Sequence, residues 1–581
     1  MMRVYGDVVR RGAADDVLEQ LRERLAGASA AGPGLHRHGL LVGALIQAGQ
    51  LAQGLADLRF AAAGGRDEPS PVIDAALALT RMLAANCALS WNSDFARIGA
   101  LPEVELAACA ALLPHEAIEL KEPEGYAFYA LYPESYLNAA QRLRGGSWQV
   151  FGIRSIGTSL GAIVASELGA RRLVTLRPAG HPFARSVAAD ALQVDPGASA
   201  FAVVDEGPGL SGSSMAAVAQ WLCHAGVAED RIHFFAGHAN GPGREASNST
   251  RDTWKRVRLH VADFEQAVLR AQRPAQRLES WVETLVGPLH APLQDISGGR
   301  WRGLQARDTS RLPPVHAARE RRKFLATAAS GRWLVKFIGL GREGERKFAR
   351  AQALAAAGFC PRPAGLCHGF IVERWRDDLK PLPRPLQAEQ RARLVERIGD
   401  YLAYRSRSFP ASDSPGASPW ELWEMGCRNT EAAFGLQAAL AWRSWRPMLD
   451  PLARALRRVE TDNRMHAWEW LAGDGLILKT DAVDHHAGHE LVGCQDLAWD
   501  IAGAAVEFDL CPAEVQQLLD RCGHRPDTLA LQFNRLCYLA FELGRHHEAL
   551  ASGADDDAAL HAAVERYGCA LQAELGAPPR V

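Results

Sequence analysis

The sequence contains few lysines. Of its 65 basic residues only seven are lysine, so arginine supplies almost all of the positive charge. Acidic residues number 67, which leaves a formal net charge of −2. A chain without an excess of positive charge offers no general electrostatic attraction for nucleic acid or for an anionic membrane. We therefore expect small phosphorylated metabolites as partners, and each lysine becomes a position to examine.

The cysteine patterns of a disulfide framework or a structural zinc site are also missing. The eleven cysteines are odd in number, and they form no Cys-x-x-Cys pair and no Cys/His ligand spacing. The beginning of the sequence lacks the apolar core of a signal peptide, and the most apolar helical stretch, residues 40–56, is interrupted by glutamine and glycine. These absences favour a soluble protein of the reducing cytoplasm.

The length of 581 residues predicts about three globular units. Residues 1–95 have the pattern of a helical module, and residues 96–300 alternate short apolar runs with helical ones, as a parallel α/β sheet does. Residues 301–323 form an Arg- and Pro-rich connector, and residues 324–581 form a small mixed lobe followed by a larger helical one. The predicted fold class is α/β multidomain.

The individual elements follow from hydrophobic periodicity and from the positions of glycine and proline. We expect helices at residues 14–25, 40–60, 71–89, 213–224 and 344–357, a helix beginning near 159, and strands at 149–153, 173–176, 200–204, 231–236, 333–338 and 369–375.

The most informative stretch is FAVVDEGPGLSGSSM, residues 201–215. An apolar strand ends at two adjacent acids, Asp205 and Glu206, and a glycine-containing turn leads to Ser-Gly-Ser-Ser at the start of a helix. Backbone N–H groups and hydroxyls at a helix N-terminus can hold a phosphate, while the carboxylates would face vicinal hydroxyls or a metal. A phosphorylated sugar matches both halves. The alternative is a strand followed by a helix that Ser211 or Ser213 merely caps.

This stretch resembles the PRPP-binding motif of type I phosphoribosyltransferases, with serines where that family usually has threonines. A second stretch, FGIRSIGTSLG at residues 151–161, resembles the pyrophosphate-binding loop of the same family. The resemblance implies a Mg²⁺-assisted loss of pyrophosphate from PRPP, with Asp205 and Glu206 as catalytic groups on the ribose. The residues implied to bind PRPP and its phosphates are Arg154, Ser155, Gly157, Thr158, Ser159, Gly207, Ser211, Gly212, Ser213 and Ser214, and Arg177 and His181 could extend the anionic site. Aromatic residues at 126–136 either stack on an acceptor or belong to the core, and the core is the favoured interpretation.

A second pattern lies in WLVKFIGL, residues 333–340, where Lys336 interrupts an apolar strand. A lysine at such a position needs a partner, and Glu345 in the next predicted helix could supply it. Glu373 closes a strand that resembles a nucleotide hinge. This half resembles the aminoglycoside phosphotransferase branch of the protein-kinase-like fold, which implies that Lys336 contacts the phosphates of ATP, with Glu345 and Glu373 also at the nucleotide site.

The segment 463–508 resembles the catalytic loop, metal-binding strand and following helix of that family. Asp481 matches the metal-binding Asp, Asp496 and Asp500 match the later helix, and His466 and Glu469 match the second His and the Asn of the loop. The resemblance thus implies a Mg²⁺ site at Asp481 and Glu469. In this register Arg464 occupies the position of the catalytic Asp, so Asp462 or Asp484 would have to substitute.

Two alternatives accompany these interpretations. Lys336 and Glu345 could form an ordinary ion pair in an unrelated α/β unit. The cluster of Asp484, His485, His486 and His489 could bind a transition metal, but solvated histidines on a polar loop are the favoured reading, and Mg²⁺ is the metal we expect.

We therefore expect a cytoplasmic transferase that joins a PRPP-binding phosphoribosyltransferase-like domain to an ATP-binding small-molecule kinase-like domain. The alternative is a regulatory or sensing protein whose kinase-like half binds nucleotide without turnover. The sequence identifies neither the acceptor nor the oligomeric state.

Overall fold

The computed structural model contains helical, parallel-sheet and antiparallel-sheet parts. It describes residues 2–209, 211–243, 245–305, 312–383, 385–411, 416–523, 526–553 and 557–576. The middle of the predicted connector 301–323 thus lies outside the described residues.

The N-terminal part is helical, as predicted. The three expected helices are confirmed as Ala14–Ala30, Leu35–Ala62 and Pro71–Asn92, each longer than its periodicity indicated, and Glu103–Ala110 follows. A strand that we did not predict, Val9–Gly12, pairs antiparallel with Ile118–Lys121.

Two of these helices, Leu35–Ala62 and Pro71–Asn92, are long and apolar enough to cross a membrane by length and composition alone. In the folded chain 89% of the most apolar window of the first helix and 50% of that of the second are buried within the protein. Gln50 and Gln53 of the first helix donate hydrogen bonds to backbone carbonyls of the neighbouring strand segment. Polar groups bonded to protein in this way are typical of a core helix.

A five-stranded parallel sheet forms the centre of the chain. Its strands, in spatial order, are Arg172–Leu176, Trp148–Ile153, Ala200–Val204, Ile232–Ala236 and Arg258–Val261. The four predicted strands are confirmed within one residue at either end, and the fifth was not predicted. The helices associated with this sheet include Glu124–Phe128, Pro133–Gln141, Gly157–Leu168, Ser213–His224 and Asn248–Arg256.

An antiparallel five-stranded sheet follows, in the spatial order Gln294–Asp295, Lys323–Ala328, Gly331–Phe337, Phe370–Arg374 and Pro363–Cys367. The predicted helix is confirmed as Gly341–Ala356. This sheet takes its first strand from before residue 301, so it crosses the predicted connector.

The C-terminal part is mainly helical. Its α-helices of seven or more residues in the described chain are Ala388–Ser408, Pro419–Phe434, Leu449–Ala455, Ala498–Glu507, Pro512–Cys522, Thr528–Ala551 and Ala558–Leu575, and Leu440–Met448 is a 3-10 helix. A small sheet of Lys380–Pro381, Trp470–Gly473 and Leu476–Lys479 lies between them, and Arg458–Val459 pairs with Gln495–Asp496.

One continuous apolar core joins the first three parts. It includes Leu45 of the N-terminal helices, Ile163 beside the parallel sheet and Phe337 of the antiparallel sheet. A second core packs Ile338 and Ile371 of the antiparallel sheet against the C-terminal helices. The predicted units are therefore not separated by solvent or by gaps in the core.

Candidate active sites

Two of the predicted loops meet at one point of the parallel sheet. The strands Trp148–Ile153 and Ala200–Val204 are neighbours, and the strand that follows each of them in sequence lies on the opposite side. In open α/β sheets a ligand binds at such a reversal of strand order, beyond the carboxyl ends of the strands. The two candidate loops, which begin at residues 154 and 205, both start at this reversal.

Glycine lets the first loop lie directly against the sheet. A Cβ on Gly157 would overlap the carbonyl oxygen of Val204, and a Cβ on Gly152 would overlap the carbonyl oxygen of Gly157. The helix Gly157–Leu168 consequently begins in backbone contact with both strand ends, and a side chain at either glycine would push it away.

Asp205 and Glu206 are half-buried at the end of their strand. The backbone N–H of Glu206 donates to Asp205 Oδ1 at 2.8 Å, and the Tyr136 hydroxyl donates to the Asp205 carbonyl at 2.7 Å. Neither carboxylate makes a salt bridge with a basic side chain in the described part of the chain. Burial raises the pKa of Asp205 to about 7, and burial together with the charge of Asp205 raises the pKa of Glu206 to about 8. A ligand that supplies hydroxyl donors or a cation would stabilise both ionised groups.

The serine loop is ordered by its own contacts. Gly212 has a φ of +64° and precedes the helix Ser213–His224. The Ser211 and Ser213 hydroxyls lie 2.9 Å apart, and Ser213 donates to the Pro182 carbonyl at 2.6 Å. Ser214 is half-buried in the first turn of the helix. The loop presents a helix N-terminus beside the two acids.

Gly207 lies between the acids and this loop. A Cβ there would come within 2.9 Å of His238 Nε2, so the histidine ring covers the backbone at that position. Burial lowers the pKa of His238, which favours a neutral imidazole next to the acids.

Arg154 is predicted to bind phosphate, but in the structure its guanidinium is already bonded to carboxylates of the protein. Its guanidinium donates to Asp57 at 2.9 Å, to Asp67 at 2.6 Å and to the Thr175 carbonyl at 3.2 Å. Arg177 bonds to Asp57 as well. Both arginines are thus held by carboxylates of the N-terminal part, and a diphosphate would have to compete with those acids.

The other polar side chains of the loop that begins at residue 154 differ in whether they are already hydrogen-bonded within the protein. Ser159 donates to the Ile156 carbonyl at 3.1 Å and lies 2.9 Å from the Tyr126 hydroxyl, so its side chain is used within the protein. Ser155 is half-buried at the loop itself, and the Thr158 hydroxyl is buried with no hydrogen-bond partner.

A second site lies between the antiparallel sheet and the small C-terminal sheet. Lys336 is 4% exposed, and its ammonium bonds to Asp481 and, at 3.1 Å, to Asp484 Oδ1. Burial opposes the charge on all three groups, but their mutual attraction outweighs it, raising the pKa of Lys336 and lowering those of the two aspartates. The cleft beside them is lined by apolar side chains, among them Leu334, Ile371, Trp375 and Leu471.

Glu345 is not the partner of Lys336, which corrects the prediction. Its carboxylate accepts two hydrogen bonds from Arg24 of the N-terminal helices, at 2.6 and 2.7 Å. The Lys336 partner comes instead from residues about 145 positions later in the chain. Glu373 does line the cleft, and burial raises its pKa to about 7.

Glu469 lines the same cleft as Asp481 and, with Asp462 and His485, forms a second group that could hold a metal ion. It accepts a hydrogen bond from Lys479 at 2.7 Å, and its other oxygen lies 3.5 Å from His466 Nδ1. The carboxylate gathered with Asp481 is Asp484, together with His485. Lys479 was missed, although the rarity of lysine marks it: Lys323, Lys336 and Lys479, three of the seven lysines, line this cleft.

Hydrogen bonds to Asp500 hold the loop that carries Arg464 in place. Asp500 accepts hydrogen bonds from the backbone N–H groups of Asp462 and Asn463, at 2.7 and 2.9 Å. Asp462 is buried and contacts Tyr401 at 2.5 Å and Lys479 at 3.4 Å. Its other oxygen lies 3.3 Å from His485 Nδ1, so Asp462 connects the loop to the cluster around Asp481, and its role as a substitute base stays a prediction.

Arg464 forms a salt bridge with Glu490. The second oxygen of Glu490 is buried and has no hydrogen-bond partner, and Glu490 lines the same pocket as Asp481 and Asp484. Glu490 is therefore a candidate proton acceptor. The sequence analysis did not identify it, because nothing in the local sequence pattern links it to Arg464.

The histidines after Asp484 are buried, which corrects the expectation of solvated side chains. His485, His486 and His489 are 7%, 4% and 6% exposed. The segment packs beneath the N-terminal strand region, where Tyr5 stacks on His489 with ring centroids 4.6 Å apart.

The aromatic segment 126–136 joins the two sites, and its aromatic rings are mostly buried as the core interpretation predicted. Tyr136 bonds to the Asp205 carbonyl at one end. At the other end the Phe128 carbonyl accepts from Arg321, whose Nε lies 3.5 Å from Asp484 Oδ2. The two candidate sites are therefore connected through a single short stretch of chain.

Neither a protein-family model nor a curated protein matches this chain. Solved structures that resemble it in fold are kinase-like and correspond to about half of its length. The choline kinase LicA from Streptococcus pneumoniae is 12% identical and matches 43% of this chain and 89% of its own, with a TM-score of 0.32. A putative aminoglycoside phosphotransferase from Ralstonia eutropha is 14% identical and matches 52% of this chain and 95% of its own, with a TM-score of 0.35. Spectinomycin phosphotransferase, solved with ADP and spectinomycin, is 13% identical and matches 52% and 97%, with a TM-score of 0.35.

Proposed function

We propose that this protein is a cytoplasmic transferase with two sites, one that binds ATP and phosphorylates a small molecule and one that binds PRPP or a related phosphosugar. The observation that carries the first activity is the cluster of Lys336, Asp481 and Asp484 at the end of an apolar cleft. An ammonium and two carboxylates beside an apolar slot can accommodate the phosphates and the base of a nucleotide.

Magnesium fits the donor set at Asp481 and Asp484, because it prefers carboxylate oxygens. Among the residues that the structure describes, the basic nitrogens nearest to the second oxygen of Asp481 are those of Lys323 at 3.8 Å and His485 at 3.9 Å, which leaves that face open to an ion. Bound there, Mg²⁺ would neutralise charge on the transferred phosphoryl group. Glu469 is held by Lys479, so we assign it to positioning of the loop.

The second activity is supported by the place of Asp205 and Glu206 at the reversal of strand order, next to a helix N-terminus. The carboxylates would accept hydrogen bonds from ribose hydroxyls and would stabilise positive charge at the anomeric carbon. The N–H groups at Ser213 and Ser214 would bind the phosphate.

The experiment is a product assay across bases, nucleosides, sugars and amines. Pyrophosphate release is measured with PRPP and ADP release with ATP, for the wild type, Asp205→Ala and Asp481→Ala. We expect each variant to lose one product and keep the other. Asp190→Ala, at an exposed position, serves as the control. The proposal is wrong if neither product exceeds the level of the matching variant with any acceptor.

A second candidate function is nucleotide sensing without phosphoryl transfer, and the Arg464–Glu490 salt bridge favours it. Arg464 stands where the catalytic acid is expected, and an arginine cannot accept the proton of an acceptor hydroxyl.

The variant Glu490→Gln separates sensing from catalysis. If the protein is an active kinase and Glu490 is its base, this variant lowers phosphoryl transfer by about 10²- to 10⁴-fold without changing ATP affinity. ATP binding with no turnover in the wild type would instead establish the sensor.

A further inference from the structure

A buried cluster of two histidines and one glutamate lies outside both candidate sites. His38 belongs to the helix Leu35–Ala62, Glu134 to the first turn of Pro133–Gln141, and His368 to the turn between two strands of the antiparallel sheet. Their side chains are at most 2% exposed. The cluster therefore joins the N-terminal helices, the central part and the antiparallel sheet at one point.

The three side chains converge on one another. His38 Nε2 lies 2.7 Å and His368 Nε2 lies 2.9 Å from Glu134 Oε1, and the three ligand atoms lie within 4.8 Å of one another. The other oxygen, Glu134 Oε2, is buried and has no hydrogen-bond partner. A polar atom with no partner in such a place is costly unless a ligand binds it.

The surroundings hold the histidines in place. His38 Nδ1 lies 3.0 Å from the Ser90 hydroxyl, which orients the ring so that Nε2 faces Glu134. The backbone carbonyl of His368 accepts a hydrogen bond from Tyr132 at 2.5 Å, and the Trp281 ring packs edge-on against its imidazole. A partner on the second ring nitrogen, as His38 has in Ser90, is typical of histidines that bind a metal, and the contacts of His368 hold its backbone and ring in place.

The charge of Glu134 also requires a partner. No lysine or arginine forms a salt bridge with it among the residues that the structure describes. A buried carboxylate is stable only when paired, so the positive charge must come from a protonated histidine or from a bound cation.

We propose that His38, Glu134 and His368 form a zinc site that ties these three parts of the chain together. Two imidazole nitrogens and one carboxylate supply three ligands of the types that Zn²⁺ prefers, the number that the protein provides in zinc sites with an open fourth position. Zinc–nitrogen distances of about 2.0 to 2.1 Å place neighbouring ligand atoms roughly 3.3 Å apart, so binding requires the two Nε2 atoms to move away from Glu134 Oε1 by about 0.5 Å.

The site is tested by metal analysis of the full-length, untagged protein purified without chelator. We expect about one zinc per chain in the wild type, and less than about a tenth of that in His368→Ala and in Glu134→Gln. Glu134→Gln keeps the shape of the side chain, so its fold can be checked by circular dichroism and size exclusion. His115→Ala, at an exposed histidine, is the matched control and should keep the zinc.

A second variant separates this site from the kinase-like cleft, where Asp481, Asp484 and His485 could also collect a metal. His485→Ala should leave the zinc content unchanged. The proposal fails if zinc is lost with His485→Ala and kept with His368→Ala. It also fails if the wild type remains metal-free after dialysis against zinc, since a protonated histidine would then pair with Glu134.

Cobalt gives an independent readout. Co²⁺ exchanged into the wild type should show the visible absorption of a four-coordinate site, and Glu134→Gln should abolish it. Removal of zinc from the wild type by a chelator should lower the unfolding temperature, as for any ligand that binds only the folded state. An unchanged unfolding temperature, together with no cobalt spectrum, would overturn the proposal.

Discussion

The two candidate sites place their paired carboxylates in opposite electrostatic surroundings. Asp205 and Glu206 make no salt bridge in the described chain, and burial raises their pKa values. Asp481 and Asp484 share Lys336, and attraction to it lowers their pKa values. The first pair has no salt bridge to a cation within the described chain, whereas the second pair is already bonded to the Lys336 ammonium. A ligand that takes up Asp481 Oδ1 or Asp484 Oδ1 must therefore replace an interaction that already exists.

The largest effect that this comparison predicts is a loss of stability when the ammonium of Lys336, which both aspartates share, is removed. Lys336→Met removes the cation that both buried carboxylates share and leaves them only the more distant Arg321 and Lys323, at 3.5 and 3.8 Å, so we expect the free energy of unfolding to fall by about 3 to 5 kcal/mol. Denaturant unfolding followed by circular dichroism measures the loss. Lys380→Met changes an exposed lysine and should cost little. Equal stability of the two variants would show that the aspartates do not depend on Lys336.

A second substitution tests whether the first site depends on the contact between its loops. Gly157→Ala places a methyl group against the Val204 carbonyl, and backbone at both positions must shift. We expect a loss of about 1 to 3 kcal/mol in stability and weaker PRPP binding, measured by unfolding and by calorimetry. Gly12→Ala is the control, because no atom lies within 4 Å of the added Cβ. Wild-type PRPP affinity in Gly157→Ala would contradict the assignment of this loop.

The pH dependence of PRPP binding tests whether Asp205 and Glu206, which form no salt bridge in the described chain, contact the sugar. Asp205 and Glu206 must ionise to accept ribose hydroxyls, and their pKa values are about 7 and about 8. Affinity measured by calorimetry should therefore rise about a hundredfold between pH 6.5 and pH 9, because both groups must be ionised at once. Glu206→Gln should remove the upper part of this rise, and it also controls for ionisation of the ligand's own phosphate. A flat profile in the wild type would mean that the acids do not contact the sugar.

How much the sequence predicts differs between the two sites for a physical reason. Asp205, Glu206 and the serine loop follow their strand directly, so the local sequence pattern locates them, and the order of strands brings the loop that begins at residue 154 next to them. Lys336 and Asp481 lie 145 residues apart, and Arg154 meets acids 97 and 87 residues earlier in the chain. Periodicity identifies a buried strand but not which charged residue approaches it from a distant element. The choice of Glu345 for Lys336 was wrong for this reason, since sequence distance was the only guide.

The smallest expected effect is a change in the free energy of unfolding when the charge of Asp205 is removed. Loss of this charge should stabilise the fold, whereas loss of the Lys336 charge at the second site should destabilise it. A carboxyl group whose pKa is higher in the folded than in the unfolded chain destabilises the fold when it ionises. For Asp205 this penalty is absent below about pH 4, grows as the pH rises and is complete above about pH 7. Asp205→Asn should therefore stabilise the protein by about 1 to 2 kcal/mol at pH 8 and by nothing at pH 4, as thermal unfolding at the two pH values would show. Asp190→Asn is exposed and should change neither value. A loss of stability in Asp205→Asn at pH 8 would mean that the carboxylate already has a favourable partner within the protein, and the contrast between the two sites would then disappear.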